Sequence, residues 1–301
     1  MHFAGGVPNF YAMYLPVSTR DPAAVRREVI AAAQAMFPRC DVRFIEDGFA
    51  WVSDCFAGKY PGYQAIDAHY HDFEHTLQGT LCMIRLLRAR HEARAKPQLD
   101  QRTFQLGLMA ILMHDTGYLK TRGDTEGTGA KYTITHVDRS AEFAGQLLRD
   151  KGFKPAEIAA VQHMIRCTGV DSDVQAISFA WEIERITGFA LATGDLLGQM
   201  AAPDYVDKLP VLYSEFAEAV NFSHNSSHFI ATFSDPTDLM RRTPDFWSGY
   251  VLKKLEGDFL GLYRYLNQPY PDGPNYYLQL IEQNIEKLRG RGNAAVHAGA
   301  I

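Results

Sequence analysis

The segment Phe104-Gln-Leu-Gly-Leu-Met-Ala-Ile-Leu-Met-His114-Asp115-Thr-Gly117 decides the fold. Its apolar run is long enough for a buried helix, and Gly117 suits the exit of that helix. An imidazole and a carboxylate then stand side by side at the foot of an apolar rod. Burying both is costly without a partner, and a divalent cation of hard or borderline character is such a partner. A straight helix splays adjacent side chains by about 100°, but a cation beside the helix end can still take both.

Upstream lies a second polar cluster, Tyr70-His71-Asp72-Phe73-Glu74-His75. His71 and His75 are four residues apart and share a face if the segment is helical. One can bind metal while the other addresses a ligand. Downstream, His136, His163 and Asp195 each fall on or at the start of a separate predicted helix. Side-by-side helices can aim such groups into one interior site. Glu74 fits the same chemistry less well. The remaining histidines, at 2, 69, 91, 224, 228 and 297, carry no such pattern, and His224 and His228 lie in a Ser/Asn-rich stretch.

The rest of the chain reads mainly as helices. Asp21-Pro22 opens one that stops near Pro38. Alternating Val42, Phe44, Phe49 and Trp51 around Asp47-Gly48 predict a small β-hairpin over 41–53. From 64 onward the pattern predicts helices over 64–94, 102–116, 137–151, 155–167, 178–201, 208–221, 244–266 and 275–289. This gives an all-α fold: a preface over 1–60, a helical domain over 61–290, and a flexible Gly-rich tail over 291–301. The polar stretch 121–135 leaves directly from the His-Asp helix, so it reads as a surface loop or a lid.

Bulk composition excludes several classes. The chain has 301 residues, 47% of them hydrophobic, and a net charge of −5. With no Lys/Arg block, a nucleic-acid surface is not expected. No apolar run reaches the ~18 residues of a membrane span, and the first residues do not form a signal peptide. Cys40, Cys55, Cys82 and Cys167 form no CxxC pair and read as reduced thiols. A cytoplasmic protein acting on a small molecule is the expectation.

The order His75, His114-Asp115, Asp195 resembles the H…HD…D signature of the HD-domain metal-dependent phosphohydrolase superfamily. Residues 70–75 resemble the YHNxxH motif of cyclic-nucleotide phosphodiesterase catalytic domains, with Asp72 in place of Asn. The segment from Asp195 through Glu215-Phe216 is similar to the later metal-aspartate region of that group. The resemblance covers about 64–216 and implies a PDEase-like helical bundle. It implies that His75, His114, Asp115 and Asp195 hold a first metal, with Asp115 bridging to a second, and that His71 is the general acid. The regions of His136 and His163 are similar to later histidine motifs of HD-GYP cyclic-dinucleotide phosphodiesterases, which implies that these two bind the second metal.

The chain departs from HD-GYP proteins at Tyr118, where they carry lysine. Lys120 is the nearest substitute as a phosphate contact. Phe246, with Trp247 and Tyr250, is a candidate aromatic clamp for the substrate. The implied function is hydrolysis of a phosphodiester or nucleotide phosphate ester with two divalent ions (Zn, Fe, Mn, Ni or Mg). The alternatives are an HD-type di-iron oxygenase and a non-catalytic nucleotide-binding module.

Overall fold

Aspartate starts the first four helices of this protein. In the computed structural model, which describes residues 17–223 and 229–298, the side chains of Asp21, Asp41, Asp72 and Asp100 each accept a hydrogen bond from a backbone amide of the turn they open. Each supplies an acceptor to a donor that has no partner inside the helix. These caps begin α1 (Pro22–Met36), α2 (Val42–Phe56), α3 (Phe73–Glu92) and α4 (Gln101–Met113). Then follow α5 (His136–Asp150), α6 (Pro155–Ile165), α7 (Glu182–Met200), α8 (Tyr205–Phe222), α9 (Pro236–Phe246), the short α10 (Leu252–Glu256) and α11 (Tyr276–Ala298). The described residues contain no β-strand, and the architecture is an all-α bundle.

The expected hairpin over 41–53 is instead α2. Ile45, Phe49, Val52 and Cys55 recur at helical spacing and are buried, so the 3.6-residue period overrides the local Asp47-Gly48 turn signal. Gly48 lies inside the helix because α2 runs close to α4: a Cβ there would stand 2.9 Å from Met109 Sδ. α1 and α2 bury Val25, Val29, Phe49 and Val52 in the same core as α3 and α4. The N-terminal segment is therefore part of the bundle.

α3 starts at Phe73, later than the expected 64, because the Asp72 side chain caps the His75 amide at 2.8 Å. The predicted helix over 244–266 is broken. α9 ends at Phe246, a π-helical turn spans Trp247–Val251, and α10 ends at Glu256 before a 3₁₀ turn at Leu262–Leu266. The last helix passes Gly290 and Gly292 and reaches Ala298. No helix among the described residues is long and apolar enough to cross a membrane.

Two features of the core position the site. α4 is the central rod, with every residue from 103 to 113 buried. α3 packs against α7 at very short range. A Cβ on Gly198 would fall 2.6 Å from the Gln78 carbonyl oxygen, and one on Gly194 would fall 2.8 Å from the Met83 nitrogen. Glycine at these positions lets the two backbones close, which brings Asp195 of α7 against the first turn of α3.

Candidate metal centre

His75 sits in the first turn of α3, His114 at the C-terminal cap of α4, and Asp195 in the middle of α7. One nitrogen or oxygen from each lies within 4.8 Å of the others. Asp115 completes the arrangement. α4 ends at Met113, and the backbone turns at Asp115 (φ −106°, ψ 7°) into a 3₁₀ turn at Thr116–Tyr118. That turn cancels the splay expected of adjacent helical residues.

Imidazole and carboxylate then alternate around one centre. His75 Nε2 is 3.2 Å from both Asp115 Oδ2 and Asp195 Oδ1. His114 Nε2 is 3.2 Å from Asp115 Oδ2 and 3.4 Å from Asp195 Oδ1. A cation with bonds of roughly 2.1 Å spaces adjacent ligand atoms about 3.0 Å apart in an octahedron and about 3.4 Å in a tetrahedron. The observed spacings fall within or at the edge of that range.

Hydrogen bonding supports the same fit. His114 Nδ1 lies 2.7 Å from the Ile111 carbonyl. A carbonyl only accepts, so Nδ1 carries the hydrogen and Nε2 presents a lone pair to the cluster. Both His114 Nε2 and Asp115 Oδ2 are buried without a hydrogen-bond partner. Two orphaned buried acceptors at one point are costly, and a cation removes that cost. Without one, burial disfavours a charged His75, yet the adjacent Asp115 and Asp195 carboxylates outweigh it and lift its pKa to about 10. Burial opposes ionisation of the two aspartates, but His114 and His75 hold both well below the usual carboxylate range.

The other predicted residues divide sharply. His136 opens α5 with its Nδ1 2.5 Å from the Thr133 carbonyl, and its Nε2 lies 3.9 Å from Asp115 Oδ1. Burial lowers its pKa, an effect only partly offset by Asp115. Its approach depends on Gly117, where a Cβ would stand 2.0 Å from the His136 carbonyl oxygen. His163 does not join the site. It lies outside the cavity lining and packs edge-on against Phe179, with ring centroids 5.8 Å apart.

Lys120 is also elsewhere. It is buried, with Nζ 2.9 Å from Asp67 Oδ2 and 2.7 Å from the Gly127 carbonyl, and serves as a tether. Further ties from Asp67 to the Gly129 amide (2.6 Å) and from Glu218 to the Thr128 hydroxyl (2.7 Å) fix the 121–135 segment. Thr133 and Ile134 line the cavity, so the segment is a wall where a lid was one expectation. His69 and His91 lie away from the cavity, and His2, His224 and His228 fall outside the described residues.

The cavity has a volume of about 480 Å³, with the His/Asp cluster at one end. His71 lines it with Nδ1 2.6 Å from Glu215 Oε2, while Glu215 Oε1 accepts from the Tyr70 amide at 2.6 Å. Burial works against the Glu215 carboxylate, but His71 and the Tyr70 and His71 amides hold its pKa low. The Tyr118 ring stacks between His71 (4.6 Å) and His136 (5.0 Å). Phe246 lines the cavity, but it stacks on Tyr250 at 4.9 Å, so the pair forms one wall rather than two jaws. Trp247 is buried and donates to Glu282 at 2.8 Å.

The pairing of Glu215 with His71 was not assigned from the sequence, although a signal existed. Glu215 lies on the α8 stripe of Leu209, Leu212, Phe216 and Ala219, where an unpaired carboxylate would be costly.

Fold and site together define an all-α protein with a buried His/Asp cluster suited to a divalent cation. The family model described as Npun_R2479-like matches residues 46–267, and the chain belongs to that family. No curated relative and no solved structure matches the chain.

Proposed function

We propose that this protein is a metal-dependent phosphohydrolase acting on a phosphodiester or phosphate monoester. The observation that carries the proposal is the alternating ring of His75, Asp115, His114 and Asp195 at 3.2–3.4 Å with His71 beside it. A divalent cation held there supplies Lewis acidity toward a phosphoryl oxygen and lowers the pKa of water to near neutrality.

The chain's own residues do the rest. Glu215 holds the Nδ1 side of His71, which leaves Nε2 free to carry a proton to the departing oxygen. Tyr118, stacked on the ring, fixes the plane of that imidazole. His136 stands at the second oxygen of Asp115, where it orients the carboxylate or lends a further ligand.

The displacement of His163 favours this reading over a di-iron oxygenase. That alternative calls for four histidines and two aspartates, and α6 withholds the fourth histidine. The intact His71–Glu215 pair favours an enzyme over a regulatory binding module, since binding alone requires no proton donor.

The test is a turnover screen of the purified protein with manganese, zinc, iron, magnesium and nickel. Substrates are bis(p-nitrophenyl) phosphate, p-nitrophenyl phosphate, cyclic mononucleotides, cyclic dinucleotides and nucleoside monophosphates. Metal-dependent hydrolysis that collapses in His71→Ala is expected. Absence of turnover with every metal, or full turnover in His71→Ala, would contradict the proposal.

A further inference from the structure

Beyond the cluster the cavity changes character. Leu212 and Phe216 of α8, Phe229 and Phe233 of the following turn, and Phe246 and Tyr250 form a continuous apolar wall. Their rings contact one another in series, Phe216–Phe233 at 6.1 Å, Phe233–Phe229 at 5.2 Å, Phe229–Phe246 at 5.8 Å and Phe246–Tyr250 at 4.9 Å. A chamber of this size takes a body comparable to a drug-sized ligand.

Most of its hydroxyl and amide groups are already committed, the buried Tyr118 hydroxyl being an exception. Thr133, Thr168, Ser172 and Thr243 each donate their hydroxyl to a carbonyl of their own turn. Gln199 donates to Asp195 and accepts from the Tyr70 hydroxyl. These groups leave little with which to read the edge of a nucleobase, whose own polar atoms would then be buried unpaired.

The three cations of the lining are each held by protein groups, two of them by carboxylates. Arg166 pairs with Asp138 at 3.2 Å, Arg242 bonds the Thr232 carbonyl at 3.0 Å and lies over the Phe233 ring, and Lys254 bonds the Ser172 carbonyl at 3.1 Å. Five aspartates against three cations line the cavity, two negative charges in excess. One divalent cation cancels that excess and leaves no positive surplus for a polyanion.

Resting on the phosphohydrolase reading, we infer that the substrate is amphipathic: a single phosphoryl head at the His/Asp cluster joined to a hydrocarbon-rich body in the Leu212–Tyr250 chamber. Nucleoside polyphosphates are the wrong charge for this cavity, and nucleotides in general find few donors on its wall.

The test loads the full chain with manganese. Calorimetry then follows binding of n-alkylphosphonates from methyl to octyl, the n-alkanols of the same lengths, and adenosine monophosphate. Phosphonate affinity is expected to rise about fourfold per added methylene, the ordinary hydrophobic increment. Octylphosphonate should bind more tightly than adenosine monophosphate. Leu212→Asn and Phe246→Ala, checked for unchanged metal content, should flatten the slope. Affinity independent of chain length, or tighter binding of adenosine monophosphate than of octylphosphonate, overturns the inference while leaving the phosphohydrolase reading intact. Equal affinity of alkanols and phosphonates, with the slope preserved, upholds the chamber and removes the phosphoryl head.

Discussion

His75 and His114 meet at a common centre, His136 stands at its edge with Nε2 3.9 Å from Asp115 Oδ1, and His163 lies apart against Phe179. All four are candidate metal ligands in the sequence, and what separates them is what each ring meets in the fold. His75 and His114 sit at the ends of α3 and α4, in contact with the core and with α7, whose Gly194 and Gly198 allow close approach. His136 is drawn to the cluster by the tight contact of its backbone with Gly117. His163 belongs to α6, and its ring packs against Phe179. α6 packs against α4 and α7 as well, so neither residue type nor the packing of the helix makes a histidine a ligand; what its own ring meets decides it.

The largest break in this comparison comes from Asp115→Ala. It removes the carboxylate shared by both histidines, and loss of bound metal together with turnover is expected, read by elemental analysis and assay. His71→Ala comes next. Metal content should stay at the wild-type level while turnover falls about 10²–10⁴-fold, the usual contribution of a positioned proton donor.

Glu215→Gln should retain metal and lower turnover by less than His71→Ala does. Its pH dependence has a defined sign. The Glu215 pKa is depressed in the folded protein, so its stabilising effect is complete above the unfolded carboxylate value of about 4.3 and is lost as pH falls through the folded pKa. The Tm gap between wild type and Glu215→Gln should therefore narrow on acidification below about pH 4. The smallest effect belongs to His163→Ala: metal stoichiometry unchanged and turnover within about twofold, as for a substitution outside the site. A lost equivalent of metal there would return His163 to the ligand set.

Much of this was legible in the sequence, for physical reasons. The apolar run before His114 is uniform enough to require a buried helix, and the polar pair at its foot requires compensation, so α4 and the cluster followed. The placement of Asp195 on a helix also followed from apolar periodicity. α2 was not legible as a helix, because Asp47-Gly48 carries a strong turn signal locally. Only the packing of Gly48 against Met109 across the core shows why a glycine belongs there. The role of Lys120 was hidden for a similar reason. Its partner Asp67 is distant in sequence, and nothing local distinguishes a tether from a phosphate contact. The two aromatic jaws expected at Phe246 and Tyr250 form one wall, because residues four apart on a helix share a face and their rings stack.

The central claim is that His75, His114, Asp115 and Asp195 share one cation. Elemental analysis of the purified chain beside His114→Ala, each dialysed against manganese or zinc and then metal-free buffer, tests it most directly. The account predicts a tightly held divalent ion in the wild type that is lost in the variant while helical content persists. Wild-type protein that retains no ion, or a His114→Ala variant that retains it undiminished, would contradict the account.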